Sequence, residues 1–300
     1  MAHEHHHHTV SGKKLGITIF LNGLITIGQV LGGIFSGSMA LLTDALHNFS
    51  DVVALLLSYA ANRIAKRKVT ARQTFGFKRA EILSAFVNSA ALIGISVFLI
   101  AEAVKRFFHT EPIGSDIVIG FALASIIINF ISVLVLHNDS KENLNVKSAY
   151  LHLMTDVMTS IAVLAGGIMM KFYKIYWIDP LLSVFIAIYL ISSSYGLLLK
   201  TIKILMQFTP SGIDIHQLSD EIGALKNVKN IHHVHVWQLD EKSFFLEAHI
   251  DLEKDITISQ FQKILDDISK ILGKYHIHHF NIQPEINRPD DKRVIVQQEH

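Results

Sequence analysis

Two stretches of the chain carry the same pair of ionisable residues at the same spacing: His47-Asn48-Phe49-Ser50-Asp51 and His152-Leu153-Met154-Thr155-Asp156. Residues four apart lie on one face of an α-helix, so each HxxxD sets an imidazole beside a carboxylate. Brought face to face, the two pairs offer two nitrogens and two oxygens to one point. That donor set suits a tetrahedral divalent ion, Zn²⁺ first, with Co²⁺ or Cd²⁺ also accommodated. Two ionised carboxylates and two neutral imidazoles cancel the charge of the ion. In the absence of metal, desolvation and like-charge repulsion disfavour the bare anions, and the site takes up protons instead. Metal and protons competing for one site is the coupling that a metal–proton exchanger needs. A single His–Asp pair reads equally well as a structural hydrogen bond; the repetition favours a site. An intramembrane metallohydrolase fits poorly, because four protein ligands leave no position for water and the chain has no HExxH. A passive channel would use the same ligands but ignore a proton gradient.

The elements that position these residues are long and apolar. No Asp, Glu, Lys or Arg occurs in 15–43, 82–101, 117–136 or 180–199, and a bilayer core takes about 20 apolar helical residues. Two further spans, about 39–64 and 148–171, are the ones interrupted by Asp44, His47 and Asp51, and by His152 and Asp156. An ionisable group at mid-membrane costs at least about 2.5 kcal/mol, so these interruptions read as functional. Six spans are expected. Asp44, one turn before His47, reads either as a vestibule carboxylate near the far boundary or as a helix-stabilising group. Asn22, Gln29, Asn88 and Asn129 read as interhelical hydrogen-bonding residues rather than ligands.

Basic residues set the orientation. Arg63, Lys66, Arg67, Lys68, Arg72, Lys78 and Arg79 cluster between spans 2 and 3; Lys13, Lys14, Lys141, Lys147, Lys200 and Lys203 fall on the same side. The positive-inside rule then puts both termini in the cytoplasm of a cell-membrane protein, and the loop between spans 2 and 3 reads as a solvated basic loop. The organisation expected is a His-rich segment 1–14, a membrane domain 15–208, a cytoplasmic domain 209–290 and a polar tail 291–300.

After Phe208 the periodicity changes. Asp214–Leu225 and Ile258–Leu272 have helical spacing, while Val228–Leu239, Ser243–Leu252 and His276–Ile286 read as strands. The order αββαβ implies a small α+β domain with helices on one face of a three-stranded sheet. Strict alternation along the first strand places His233, His235 and Trp237 on one face and His232, Val234 and Val236 on the other. His232, His249 and Glu285 can meet across the sheet as a metal site, with Glu247 and Asp251 as reserve ligands. His276, His278 and His279 read as a solvated strand end.

Composition narrows the classes. Half the residues are hydrophobic, 18% are charged, and there are 18 His and no Cys. Too little charge is present to coat a soluble surface, and thiolate zinc ribbons and disulfide scaffolds are excluded. A net charge of +1 gives no case for nucleic acid.

The run from Gly37 to Asp51, the segment Thr74-Phe-Gly-Phe-Lys-Arg-Ala-Glu-Ile-Leu83 and the second HxxxD together resemble the cation diffusion facilitator family, in its cobalt–zinc–cadmium resistance and zinc transporter branch. The resemblance covers about 12–286. It implies a homodimeric antiporter that expels Zn²⁺ against protons by alternating access, with His47, Asp51, His152 and Asp156 as ligands and His47 favouring zinc. It also implies a metallochaperone-like cytoplasmic domain that binds zinc, with His232, His249 and Glu285 at ligand positions. Gln283 stands where some members have a histidine, and Gln207 where some have an acidic partner for a basic residue near Arg79. The N-terminal run His3-Glu4-His5-His6-His7-His8 reads as a native metal-concentrating tract or as a tag.

Overall fold

The computed structural model describes residues 12–137 and 144–296, so the N-terminal histidine run lies outside the described residues. The elements run α1 (Gly12–Ser36), α2 (Met39–Ala65), α3 (Ala80–Phe108), α4 (Ser115–Leu136), α5 (Leu144–Tyr173), α6 (Ile178–Leu205), α7 (Ile215–Gly223), β1 (Val228–Gln238), β2 (Phe244–Leu252), α8 (Ile258–Lys274) and β3 (Ile277–Glu285). By length and composition α2 to α6 can each cross a bilayer, and α1 adds a shorter apolar stretch at Asn22–Ser36. The 25-residue α1 would extend about 37 Å at 1.5 Å per residue, enough to span.

The helical domain is apolar outside and polar within. Leu24, Ile34, Leu56, Phe98, Phe130 and Phe185 are exposed on its flanks, whereas Thr26, Gln29, Thr43, Ser96, Ser125 and Ser183 are buried. A protein in water shows the reverse; lipid removes the penalty for the apolar flanks and leaves polar groups to pair between helices. Close approach helps: α1 packs along α4, and a Cβ at Gly32 would overlap the Phe121 ring.

The uncharged run 15–43 is divided between two helices. Gly37 has φ +74°, a left-handed conformation that glycine adopts without a Cβ penalty, and the chain turns there. Ser38 then caps α2, accepting from the Leu41 N–H at 3.1 Å. A second cap comes from α6. Asp179 accepts from Ser38 Oγ at 2.5 Å, the Met39 N–H at 2.6 Å and the Ala40 N–H at 3.3 Å, and only 1% of it is exposed. Its negative charge also faces the positive end of the α2 dipole. The sequence concealed this contact, because an acidic residue in the first turn of α6 serves that helix's own N-terminus equally well.

Residues through Tyr59 together with Val87–Leu197 form one compact unit; Ala60–Phe86 together with Leu198 onward form another. In the second, β1 and β2 pair antiparallel and β2 and β3 parallel. Asp214 caps α7, and Thr257 with Gln260 forms a capping box on α8. Leu218, Ile222, Ile264, Ile268 and Leu272 of the two helices pack on Ile231, Val234, Val236, Leu246 and Ile250 of the sheet. The expected αββαβ order is present.

Two expectations about this unit are corrected. The register of β1 shifts between His232 and His235, where His233 takes φ +52°. This β-bulge adds one residue to β1 and reverses the alternation. Ile231, Val234 and Val236 therefore face the helices, and His232 lies on the opposite face from the two valines that strict alternation assigned to it. The basic loop between α2 and α3 is also not simply solvated. Lys78 Nζ donates to Ser243 Oγ at 3.2 Å and sits 3.9 Å from Asp240, and the Phe75 and Phe245 rings meet edge-on at 5.5 Å. An exposed ion pair of this kind adds at most about 1 kcal/mol.

Candidate metal centres

Helix α2 carries His47 and Asp51 on one face, and α5 carries His152 and Asp156 likewise. The four side chains converge. His47 Nδ1 lies 3.4 Å from Asp51 Oδ2 and its Nε2 3.6 Å from Asp156 Oδ1. His152 Nε2 lies 3.2 Å from Asp51 Oδ2 and 3.8 Å from Asp156 Oδ2. Donors around tetrahedral zinc stand about 3.3 Å apart, given bonds of about 2.0 Å. Asp51 faces His47 Nδ1 and Asp156 faces its Nε2, so one ion shared by all four requires His47 or Asp51 to turn. His47, His152 and Asp156 each offer a donor atom within 4.8 Å of the others. His47 Nδ1, Asp51 Oδ2 and Asp156 Oδ1 are buried without a hydrogen-bond partner. Leaving such groups unpaired is costly, and coordination would engage all three.

Exposure across the site is uneven. His47 and Asp156 are buried, while the His152 side chain is 46% and the Asp51 side chain 31% exposed. Asp51 is one turn nearer the C-terminal end of α2, and His152 one turn nearer the N-terminal end of α5. The site is therefore open towards the C-terminal end of α2 and the N-terminal end of α5, and closed in the other direction.

On the closed side lies Asp44, 1% exposed, so in this conformation it lines no open vestibule. Its carboxylate accepts from Gln29 Nε2 at 2.8 Å, Thr159 Oγ1 at 3.1 Å and Ser160 Oγ at 3.5 Å. Gln29 Oε1 in turn accepts from Asn48 Nδ2 at 3.2 Å, so Asp44 ties α1, α2 and α5 together behind the ligands. Gln29 acts as the interhelical hydrogen-bonding residue its sequence context implied, whereas Asn129 donates within α4, to Ser125 Oγ at 3.3 Å. Asp44→Leu leaves Gln29 Nε2 without this acceptor, worth about 1–3 kcal/mol, while Thr159 and Ser160 keep the Asp156 carbonyl at 3.0 Å and Ser125 Oγ at 2.9 Å. The expected outcome is a marked fall in the melting temperature of the detergent-solubilised protein, with Asp44→Asn retaining more of it.

The second cluster is in the small domain. His232 is fully buried; its Nε2 is 3.3 Å from Glu285 Oε2 and 3.3 Å from Asp290 Oδ2, and its Nδ1 is 3.5 Å from Asp251 Oδ2. His249 Nδ1 is 3.0 Å from Glu285 Oε1. Burial lowers the His249 pKa below its ordinary value, which favours the neutral imidazole that a metal requires. His232, His249 and Glu285 thus come together as the sequence implied. Of the reserve ligands, Asp251 approaches His232 Nδ1 at 3.5 Å, and Glu247 lies opposite His235 in the strand register. His276, His278 and His279 are exposed. Asp290 was missed, because it follows the last strand and no spacing rule ties a residue there to β1.

A bundle of apolar helices, five of them long enough to cross a bilayer and one with a shorter apolar stretch, with two His–Asp pairs meeting between α2 and α5, is the architecture of a polytopic membrane protein. The comparisons agree. Residues 15–206 match the cation efflux transmembrane domain and residues 210–287 the cation efflux protein cytoplasmic domain. Zinc transporter ZitB of Pectobacterium atrosepticum is 36% identical over all of this chain and 94% of its own length. A cadmium, cobalt and zinc/H⁺–K⁺ antiporter of Bacillus velezensis is 34% identical over 95% of this chain and 92% of its own. The metal cation efflux system protein CzcD of Cupriavidus metallidurans is 32% identical over 95% and 90%. The chain belongs to the cation efflux family, the cation diffusion facilitators.

Proposed function

We propose that this protein expels Zn²⁺, with Cd²⁺ and Co²⁺ as further substrates, in exchange for protons, and that His47, Asp51, His152 and Asp156 hold the ion in transit. The meeting of the α2 and α5 pairs in one unit carries the reading, supported by relatives named as zinc transporters and metal/proton antiporters. The membrane is the cell membrane, with both termini on the cytoplasmic side where the basic loop lies.

In this orientation the exposed edge formed by Asp51 and His152 faces the cytoplasm and receives the cation. The two carboxylates neutralise it, the imidazole nitrogens complete the tetrahedron, and rocking of the helices then opens the opposite side. Protons arriving there compete for the same nitrogens and oxygens and release the metal. The small domain pairs two copies of the chain and binds zinc when the cytosol is rich in it, biasing the transport equilibrium.

Uptake of ⁶⁵Zn by everted vesicles tests the exchange. Acidifying the vesicle lumen accelerates uptake and a protonophore abolishes the acceleration. Uptake that ignores the gradient in both directions would make the protein a zinc-selective channel.

A further inference from the structure

We propose that the segment after β3 completes the metal site of the small domain: Asp290 is its fourth ligand, and Lys292 is a built-in cation that holds the ligands together until a metal displaces it. This rests on the reading of that domain as a zinc-binding one.

The segment is fixed by the same bulge that turns His232 away from the helices. With His233 in the left-handed region, the N–H groups of His233 and Val234 turn outward from the free edge of β1. They donate to the carbonyls of Arg293 at 3.2 Å and Val294 at 2.8 Å. Asn230 Nδ2 donates to the Lys292 carbonyl at 3.1 Å, and Val294 packs on the core. Lys292 is thereby placed over the cluster. Its ammonium donates to Asp251 Oδ1 at 2.8 Å, Glu285 Oε2 at 3.2 Å and the Asp290 carboxylate, and lies 3.4 Å from His232 Nε2.

The charges and donors do not balance with lysine alone. Three carboxylates, Asp251, Glu285 and Asp290, face Lys292 and the Arg288 guanidinium, which reaches Glu285 Oε1 at 3.1 Å. One negative charge is left over. A divalent ion in place of the ammonium brings the sum to zero. An ammonium has three protons, and the carboxylates engage them all; His232 Nδ1 and His249 Nδ1 stay buried without a hydrogen-bond partner. A metal can take a lone pair from each histidine, whereas the ammonium, its three protons engaged by carboxylates, has none left for them.

The donor count agrees. His232, His249, Glu285 and Asp290 each present an atom within 4.8 Å of the others. Gln283, which stands at a possible ligand position, instead donates from Nε2 to Glu285 Oε1 at 2.9 Å and orients that carboxylate. The C-terminal segment thus makes good the missing ligand. The lysine sets a threshold: zinc must be concentrated enough to expel it.

The test is zinc affinity of the full chain by competition with a chelating dye, with Asp51→Ala and Asp156→Ala silencing the membrane site and His232→Ala defining the share of the small domain. Lys292→Met is expected to tighten that share and Asp290→Ala to weaken it, each by roughly tenfold or more. Lys292→Arg, which keeps the cation, and Asp290→Glu, which keeps the carboxylate, stay near the parent. If His232→Ala removes no bound zinc, the underlying reading of the domain fails. If it does, but affinity ignores both Lys292→Met and Asp290→Ala, the completed site and its displaceable lysine are wrong while the zinc-binding domain stands.

Discussion

Replacing Asp51 or Asp156 with alanine reduces ⁶⁵Zn uptake by everted vesicles by more than about 100-fold, beyond the 10- to 100-fold typical of losing a group that merely supports a ligand. The expectation follows from charge as much as from coordination. With both carboxylates present the loaded site is neutral; with one removed a divalent ion carries an unbalanced positive charge into a low-dielectric interior. Asparagine keeps the shape and an oxygen but not the charge, so Asp156→Asn is expected to be nearly as damaging as Asp156→Ala. His47→Ala removes a nitrogen and spares the charge balance, and should cost zinc affinity more than it costs maximal rate. Uptake by Asp156→Asn at parental rates, measured at matched protein levels, would mean that the carboxylate charge does not balance the cation.

A comparably large effect is expected at a residue that touches no metal. Asp179→Leu leaves Ser38 Oγ and the Met39 and Ala40 N–H groups without the acceptor that α6 supplies. Unpaired buried donors cost about 1–3 kcal/mol each, and these sit at the start of the helix that carries His47 and Asp51. The melting temperature should fall by many degrees and uptake should fall with it. Asp179→Asn still accepts through its amide oxygen and should keep part of both. Parental stability in Asp179→Leu would contradict the cap.

Much of this arrangement was legible from residue spacing. HxxxD fixes a shared helix face whatever the tertiary contacts, so the ligand pairs on α2 and α5 could be read before their convergence was known. Uncharged length marked the membrane helices, and period-two and helical spacing marked the small domain. What escaped notice depended on backbone irregularity or on long-range contact. Gly37 divides the first apolar run by a left-handed turn that hydropathy does not register. The bulge at His233 moves His232 to the other face of its strand, which no alternation rule anticipates. Asp179, Asp290 and Lys292 act on elements distant in sequence. Asp44 was recognised as anomalous, but only its three buried donors distinguish a structural tie from a vestibule.

Zinc K-edge absorption of the full chain, loaded with one equivalent of Zn²⁺ after His232→Ala and His249→Ala and removal of residues 1–8, tests the account most directly. The expected first shell is two imidazole nitrogens and two carboxylate oxygens at about 2.0 Å, and the imidazole signal should halve in a His152→Ala variant. A shell of oxygens alone, or one unchanged by His152→Ala, would contradict a cation held jointly by α2 and α5.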